Sequence, residues 1–306
     1  MKIKQIKTDR LKPVEKFLLS FPLKPELYNE LGEKLAHLPL IIVNNEEEIL
    51  FGIDFYYYIK SRHAAEADVI QADISDKEAL ILNYNMKEKL TGVNLYEKLV
   101  FINKVMPLTE VSEIYRKTGL DITVNRELLE KMDLLLSNVF RDALATEKIN
   151  LKTGLRLCNF QAGDRDVLLA LFERVPFSSS HQLQILEMAE EILFRDKCTV
   201  AEVFEKLAVE RYMDMEKPQK KIIDELFTYR NPVYTEAEER WQKEIKALDL
   251  PDNIKVMHYP FFEKKQLEIT IRLRDVGEFK KLVKRIKDQK SKNDLTYLNL
   301  SIILND

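Results

Sequence analysis

The chain is poor in the residues that do chemistry with metals and redox partners. Its 306 residues include two cysteines and four histidines. Cys158 and Cys198 lie far apart without a C-x-x-C pairing, which excludes a disulfide framework and a zinc knuckle and predicts two reduced core thiols. His37, His63, His181 and His258 are scattered, and no compact Asp/Glu/His set has the spacing a metal-dependent nuclease needs. There is no G-x-x-x-x-G-K-[S/T] loop and no G-x-S-x-G elbow. No run approaches the roughly 18 apolar residues of a membrane helix. The opening stretch Met1 to Lys7 alternates charged and apolar residues instead of starting an apolar signal core, so a cytoplasmic protein is expected. Glycine is also scarce, at seven residues, so helical segments run on with few interruptions.

What is present is a well-charged globular chain, 45% hydrophobic and 32% charged. Its length is enough for two or three domains, each with its own core. The net charge is −3, unevenly spread: Lys+Arg against Asp+Glu is 15 to 16 over residues 1–105, 14 to 20 over 106–216 and 19 to 15 over 217–306. Only the last third is basic, so by bulk charge it is the better candidate for phosphate contacts.

Periodicity divides the chain in the same places. Over residues 1–105, strand-like runs at Ile3 to Ile6, Leu38 to Val43 and Asp68 to Ile74 alternate with helical ones at Glu26 to Ala36 and Asp54 to Ala65. Ile49-Leu50-Phe51 leads into Gly52 just before the second of these helices, and Ser75 or Asp76 caps a third. From about Leu95 to residue 230 the pattern is almost purely helical, predicting five to seven helices. After Pro232 it predicts a helix Thr235 to Leu248, strands Ile254 to His258 and Gln266 to Leu273, a basic helix from Val276 to about Lys287, and a strand Tyr297 to Leu304. Trp241, the single tryptophan, is expected in the core of this last part.

Within the helical stretch, Thr109 can cap a helix Glu110 to Lys117. Gly119 then turns the chain, and a second helix runs from about Thr123 to Leu136. Val111, Ile114, Tyr115, Leu120, Ile122 and Val124 have the spacing of a seam shared by two short helices. In a helix-turn-helix, Thr123, Asn125 and Arg126 would stand at the start of the recognition helix, with Lys131 one turn further on. Residues 109–136 carry four basic and six acidic side chains, so an ordinary helical hairpin is the competing reading.

In this order the parts resemble the ParB-like family: a strand–glycine–helix layout, Asn94-Leu95-Tyr96-Glu97-Lys98 in the position of a Leu-Asn-Pro-x-Glu segment, then the helix-turn-helix. The resemblance implies an α+β fold in three domains. These are a small mixed α/β ParB-like domain at 1–105, a helical helix-turn-helix domain at 106–216 and a small α/β C-terminal dimerisation module at 217–306. It implies duplex DNA and a second copy of the chain as partners, a ParA-type ATPase as motor partner, a nucleoid location, and CTP with Mg as ligand. The family's Gly-x-Arg-Arg turn corresponds here to Gly52-Ile53-Asp54-Phe55, which supplies no cation and places Asp54 against a phosphate. Gly52, Asn85, Lys87 and Lys89 are what remain of a nucleotide site, and the expectation is a degenerate one without CTP hydrolysis. Sulfiredoxin-like chemistry would need a reactive cysteine in the α/β part, and both cysteines lie in the helical one.

In the C-terminal module Leu267, Ile269, Ile271 and Leu273 share one strand face, which a second copy would cover. Lys280, Lys281, Lys284 and Arg285 form the cationic face of the helix that follows and are expected to make nonspecific DNA contacts. The reading is therefore a ParB-like DNA-binding protein of the partition or nucleoid-organising type. Its alternatives are a protein-interaction module without DNA binding, and a nucleotide-dependent hydrolase or phosphotransferase on the same fold.

Overall fold

The structure is a computed structural model that describes residues 2–21, 41–250, 253–264, 266–273, 275–281 and 284. It divides into two compact units, Met1–Leu226 and Phe227–Asp306.

The first unit opens with a five-stranded sheet: β1 (Lys2–Lys7), β2 (Lys12–Pro13), β3 (Ile41–Val43), β4 (Glu48–Phe51) and β5 (Glu66–Gln71), in spatial order β1-β5-β3-β4-β2. β1 runs antiparallel to β5 with Ile3 opposite Ile70 and Ile6 opposite Ala67, β3 parallel to β5, β3 antiparallel to β4, and β2 parallel to β4. Position in the sheet explains sequence. All three residues of β3 are buried, as expected of a strand covered on both faces, whereas β5 alternates exposed Glu66 and Asp68 with buried Ala67 and Val69.

Gly52 follows β4 in the left-handed conformation (φ 88°, ψ 28°) and caps helix α1 (Ile53–Ser61). A strand can turn this abruptly into a helix because glycine has no Cβ to clash. The expected end of this helix at Ala65 is too late: Ala64 and Ala65 lie in the link to β5, and the Ala65 carbonyl accepts the Thr8 N–H. The helix expected over Glu26 to Ala36 and the strand Tyr297 to Leu304 lie outside the described residues.

Helix α2 (Asp76–Leu90) starts at Ser75 in a capping box with Glu78, and α3 (Leu95–Val105) at Asn94 in a second box with Glu97. There follow α4 (Val111–Thr118), α5 (Arg126–Leu135), α6 (Asn138–Ala145), α7 (Leu151–Leu157), α8 (Ala162–Arg174), α9 (Ser179–Asp196), α10 (Val200–Lys206), α11 (Glu210–Met213) and α12 (Pro218–Arg230). From Leu95 to Arg230 there are thus ten helices, against the five to seven expected. The extra breaks come at polar caps such as Asn125, Asn150, Ser178 and Thr199, whose side chains accept the N–H three residues on. Phe101, Phe140, Phe172, Leu135 and Ile185 are fully buried between these helices. Residues 1–105 and the helices that follow fall in one compact unit, because α2 packs on both α3 and α4.

The second unit contains α13 (Pro232–Ala247) and an antiparallel pair, β6 (Ile254–His258) and β7 (Leu267–Ile271), with Val256 opposite Ile269. The helix begins three residues earlier than Thr235, because Pro232 suits a first helical turn that needs no N–H. Residues 276–281 and 284 are helical. Trp241 is half-buried and lines a groove of about 650 Å³ with Ile245, Ile254 and Met257; none of the described residues after Leu226 is buried.

Candidate functional site

Two places in the first unit carry the residues singled out by sequence. The first is the Gly52 turn. Ser20, Gly52, Asp54, Asn83, Lys87 and Thr91 are among the residues lining a crevice of about 20 Å³ there. That is room for about one water, against the roughly 300–1,000 Å³ of a small-molecule site. Ser20 donates its hydroxyl to the Asp54 carboxylate at 2.5 Å. Lys87, 9% exposed, lies 3.3 Å from the carboxylate of Glu97, itself 2% exposed. Glu97 also accepts the N–H of Phe21 at 2.7 Å and of Asn94 at 3.1 Å, and the Asn94 side chain donates back to the Phe21 carbonyl at 2.8 Å. Burial pushes the Glu97 carboxyl above its ordinary range, opposed by Lys87 and by these two backbone donors. The pair therefore works as a structural node, joining the end of the first described segment, α2 and the cap of α3.

The asparagine that faces this turn is Asn83, not Asn85. Asn83 is buried and donates to the carbonyls of Phe17 at 2.6 Å and Leu50 at 3.1 Å. Asn85 points elsewhere and donates to the Lys117 carbonyl at the end of α4. Lys89 is exposed on α2. Helical spacing was the missed signal: Ala79, Leu80, Asn83, Tyr84 and Lys87 form one buried stripe, and Asn85 falls off it.

The second place is the helix pair α4 and α5. Thr109 does not cap α4; its hydroxyl goes to the carboxylate of Glu113, and the cap position belongs to Glu110. Glu113 also meets Lys117 at 2.8 Å and Lys77 at 3.4 Å, fixing α4 to the start of α2. Hydrogen bonds from Lys117 and Thr109 hold its carboxyl down at about 2. Gly119 ends α4 in the left-handed conformation (φ 65°). The turn that follows is braced from both sides. The Tyr115 hydroxyl donates to the Ile122 carbonyl at 3.1 Å and accepts the Val124 N–H at 2.7 Å, while Lys98 grips both carboxylate oxygens of Asp121 at 2.7 and 2.9 Å.

Helix α5 starts at Arg126, not Thr123, because the Asn125 side chain accepts the Leu128 N–H at 2.9 Å and fixes the boundary. Thr123, Asn125 and Arg126 are exposed together at this end. Arg126 has 91% of its side chain exposed and is paired with Glu130 on the same helix at 2.6 Å. Lys131 is turned inward instead, bonding Glu127 at 2.7 Å and the Leu155 carbonyl at 3.0 Å, so it ties α5 to α7. In the second unit Lys280, Lys281 and Lys284 are exposed, and Arg285 lies outside the described residues. Among the described residues no group of His, Cys, Asp and Glu is arranged to hold a metal ion, and no helix is long and apolar enough to cross a membrane. Cys158 and Cys198 are free and half-buried, not core residues.

With this geometry in place the chain can be set beside known proteins. It is similar to ParB N-domains. A C2221 form of the Pnob8-like ParB-N domain aligns at 13% identity over 78% of this chain and 96% of that one, with a TM-score of 0.39. Another structure of the pNOB8-like ParB N-domain aligns at 12% identity over 77% and 96%, with a TM-score of 0.37. No family model matches the sequence, and no curated protein matches it.

Proposed function

We propose that this is a ParB-like DNA-binding protein of the partition or nucleoid-organising type, with duplex DNA read by α5 and with a nucleotide site that has become structural. The observation that carries the reading is the exposed set Thr123, Asn125 and Arg126, presented at a helix start by a turn braced through Tyr115 and Lys98. A rigid turn before an exposed polar helix start is what base-edge recognition requires. Lys280, Lys281 and Lys284 add sequence-independent phosphate contacts. A second copy of the chain completes the β6–β7 sheet, and a ParA-type ATPase is the motor partner this role implies.

At the Gly52 turn, Lys87 is committed to Glu97 and Asp54 to Ser20, so the cation that lines the crevice is already paired. CTP with Mg should therefore produce no saturable heat on calorimetric titration; a saturable signal would revive the hydrolase reading. One observation favours a protein-interaction module instead: Glu127, Glu130 and Asp133 share α5 with Arg126, and an acidic helix repels phosphate. Anisotropy titration with a mixed-sequence duplex at low salt decides between them. DNA binding predicts a salt-dependent affinity that Arg126→Ala weakens, with a salt slope smaller by about one for the lost cation. No binding at the lowest salt would sink the proposal.

A further inference from the structure

The second unit contains a continuous row of aromatic rings. Phe227 meets Tyr234 edge-on at 5.8 Å, and Tyr234 meets Phe261 at 5.0 Å and Phe262 at 6.1 Å. Phe262 stacks on the His258 imidazole at 3.8 Å, and Trp241 meets that imidazole edge-on at 5.4 Å. None of these rings is buried, and Phe261 is 58% exposed at the turn between β6 and β7.

The backbone of that turn is unusual as well. Phe261 and Phe262 both take left-handed φ values, 54° and 55°, where bulky side chains are disfavoured and glycine or asparagine is the ordinary choice. Such strain at an exposed aromatic pair is a reason to look for a ligand.

Charge indicates which ligand. Residues 253–287 contain ten Lys and Arg against four Asp and Glu, in a chain whose net charge is −3. At the turn itself the Lys264 ammonium sits 4.2 Å over the ring of Tyr259, which is 37% exposed. Exposed rings supply faces on which bases stack, and ammonium groups neutralise phosphates; together they are what unpaired nucleic acid requires and what the stacked bases of a duplex do not use. In the turn the rings of Tyr259, Phe261 and Phe262 are followed directly by Glu263 and Lys264, so an acidic side chain sits beside them that an anionic lipid surface would repel.

We propose that the turn at residues 259–264 binds unpaired nucleic acid, with a base stacked on Phe261 and the neighbouring phosphate held by Lys264. This goes beyond duplex recognition by α5 and does not rest on it. The test is anisotropy of the full chain with a labelled oligothymidine of about 20 nucleotides, beside an abasic strand of equal length and charge. The oligothymidine should bind more tightly than the abasic strand. Phe261→Ala should weaken it about tenfold, within the range of one lost base stack, and Phe261→Trp should keep it with quenched indole fluorescence. Arg126→Ala should leave it unchanged, so loss of duplex binding and loss of single-strand binding are read separately. Equal affinity for the abasic strand, or Phe261→Ala and Phe261→Trp both indistinguishable from wild type, overturns the proposal. So does a Phe261→Ala effect confined to binding of anionic lipid vesicles.

Discussion

Residues 1–226 and residues 227–306 are built from the same kinds of element, helices with a sheet, yet the two units differ in what those elements cover. In the first, Phe101, Phe140, Phe172, Leu99 and Ile41 are completely removed from solvent. In the second, no described side chain is buried, and α13 and the two strands leave their apolar residues half-covered beside an open groove. A two-stranded sheet is marginal in water unless a third strand, a packed helix or a partner covers it. Among the described residues, the fully buried side chains all belong to the first unit. The contrast makes the second unit the place where an added surface would change the most.

The largest break in this contrast should come from truncating a fully buried ring in the first unit. Phe140→Ala should cost about 3–5 kcal/mol, read as a shift of the urea midpoint, whereas Phe262→Ala in the second unit should cost less; equal losses would mean that the second unit has a core of its own. Somewhat smaller is the effect of Glu97→Ala, which strands Lys87 and two backbone donors. A loss of about 3 kcal/mol is expected for a broken buried ion pair, and unchanged stability would show that the node is solvated. Next, Ile269→Lys should leave the first unit's unfolding transition in place but convert a dimer to a monomer in sedimentation equilibrium. A wild-type chain that sediments as a monomer at every concentration refutes strand pairing between copies.

The smallest effect concerns acid. Glu113 is held at about 2, below its ordinary 4.5, so its contribution is fully present above pH 4.5 and is lost as pH falls towards 2. Glu113→Gln should therefore flatten the decline of the melting temperature over that interval. Glu97, pushed upward by burial, has the opposite sign: it favours the folded state at low pH and weighs against it at higher pH. An unchanged acid limb in Glu113→Gln would show that its bonds to Lys117 and Thr109 do not persist in solution.

Much of the fold was legible because strands and caps leave short-range marks. Ile41-Ile42-Val43 and Gly52 stand out from neighbouring residues alone, the cap narrows to Ser75 or Asp76, of which the structure has Ser75, and β6 spans the expected Ile254 to His258. The number of helices is not legible from glycine and proline alone, because Asn125, Asn150, Ser178 and Thr199 punctuate the chain as well, through side-chain hydrogen bonds. The sequence predicts an exposed helix start at Thr123, Asn125 and Arg126, and these residues are exposed, but it does not predict which charges turn inward. Lys87 and Lys131 look like solvent-facing cations in sequence, and only the position of Glu97, or of the Leu155 carbonyl, brings them inside. For Lys87 the helical stripe through Ala79, Leu80, Asn83 and Tyr84 marks the buried side, but neither partner, Glu97 nor the Leu155 carbonyl, is marked by spacing.

The ends of the five-stranded sheet have a consequence for how copies of this protein can coexist at high concentration. Among the described strands, one edge is β1, with exposed Lys2, Lys4 and Lys7, and the other is β2, two residues long and ending in Pro13. Lysines along an edge repel a like edge brought to strand spacing, and a short strand with proline offers little backbone to pair with. Edge-to-edge growth into fibres is thereby blocked at both sides of this sheet. Crowding the protein should therefore not extend this sheet from one copy to the next.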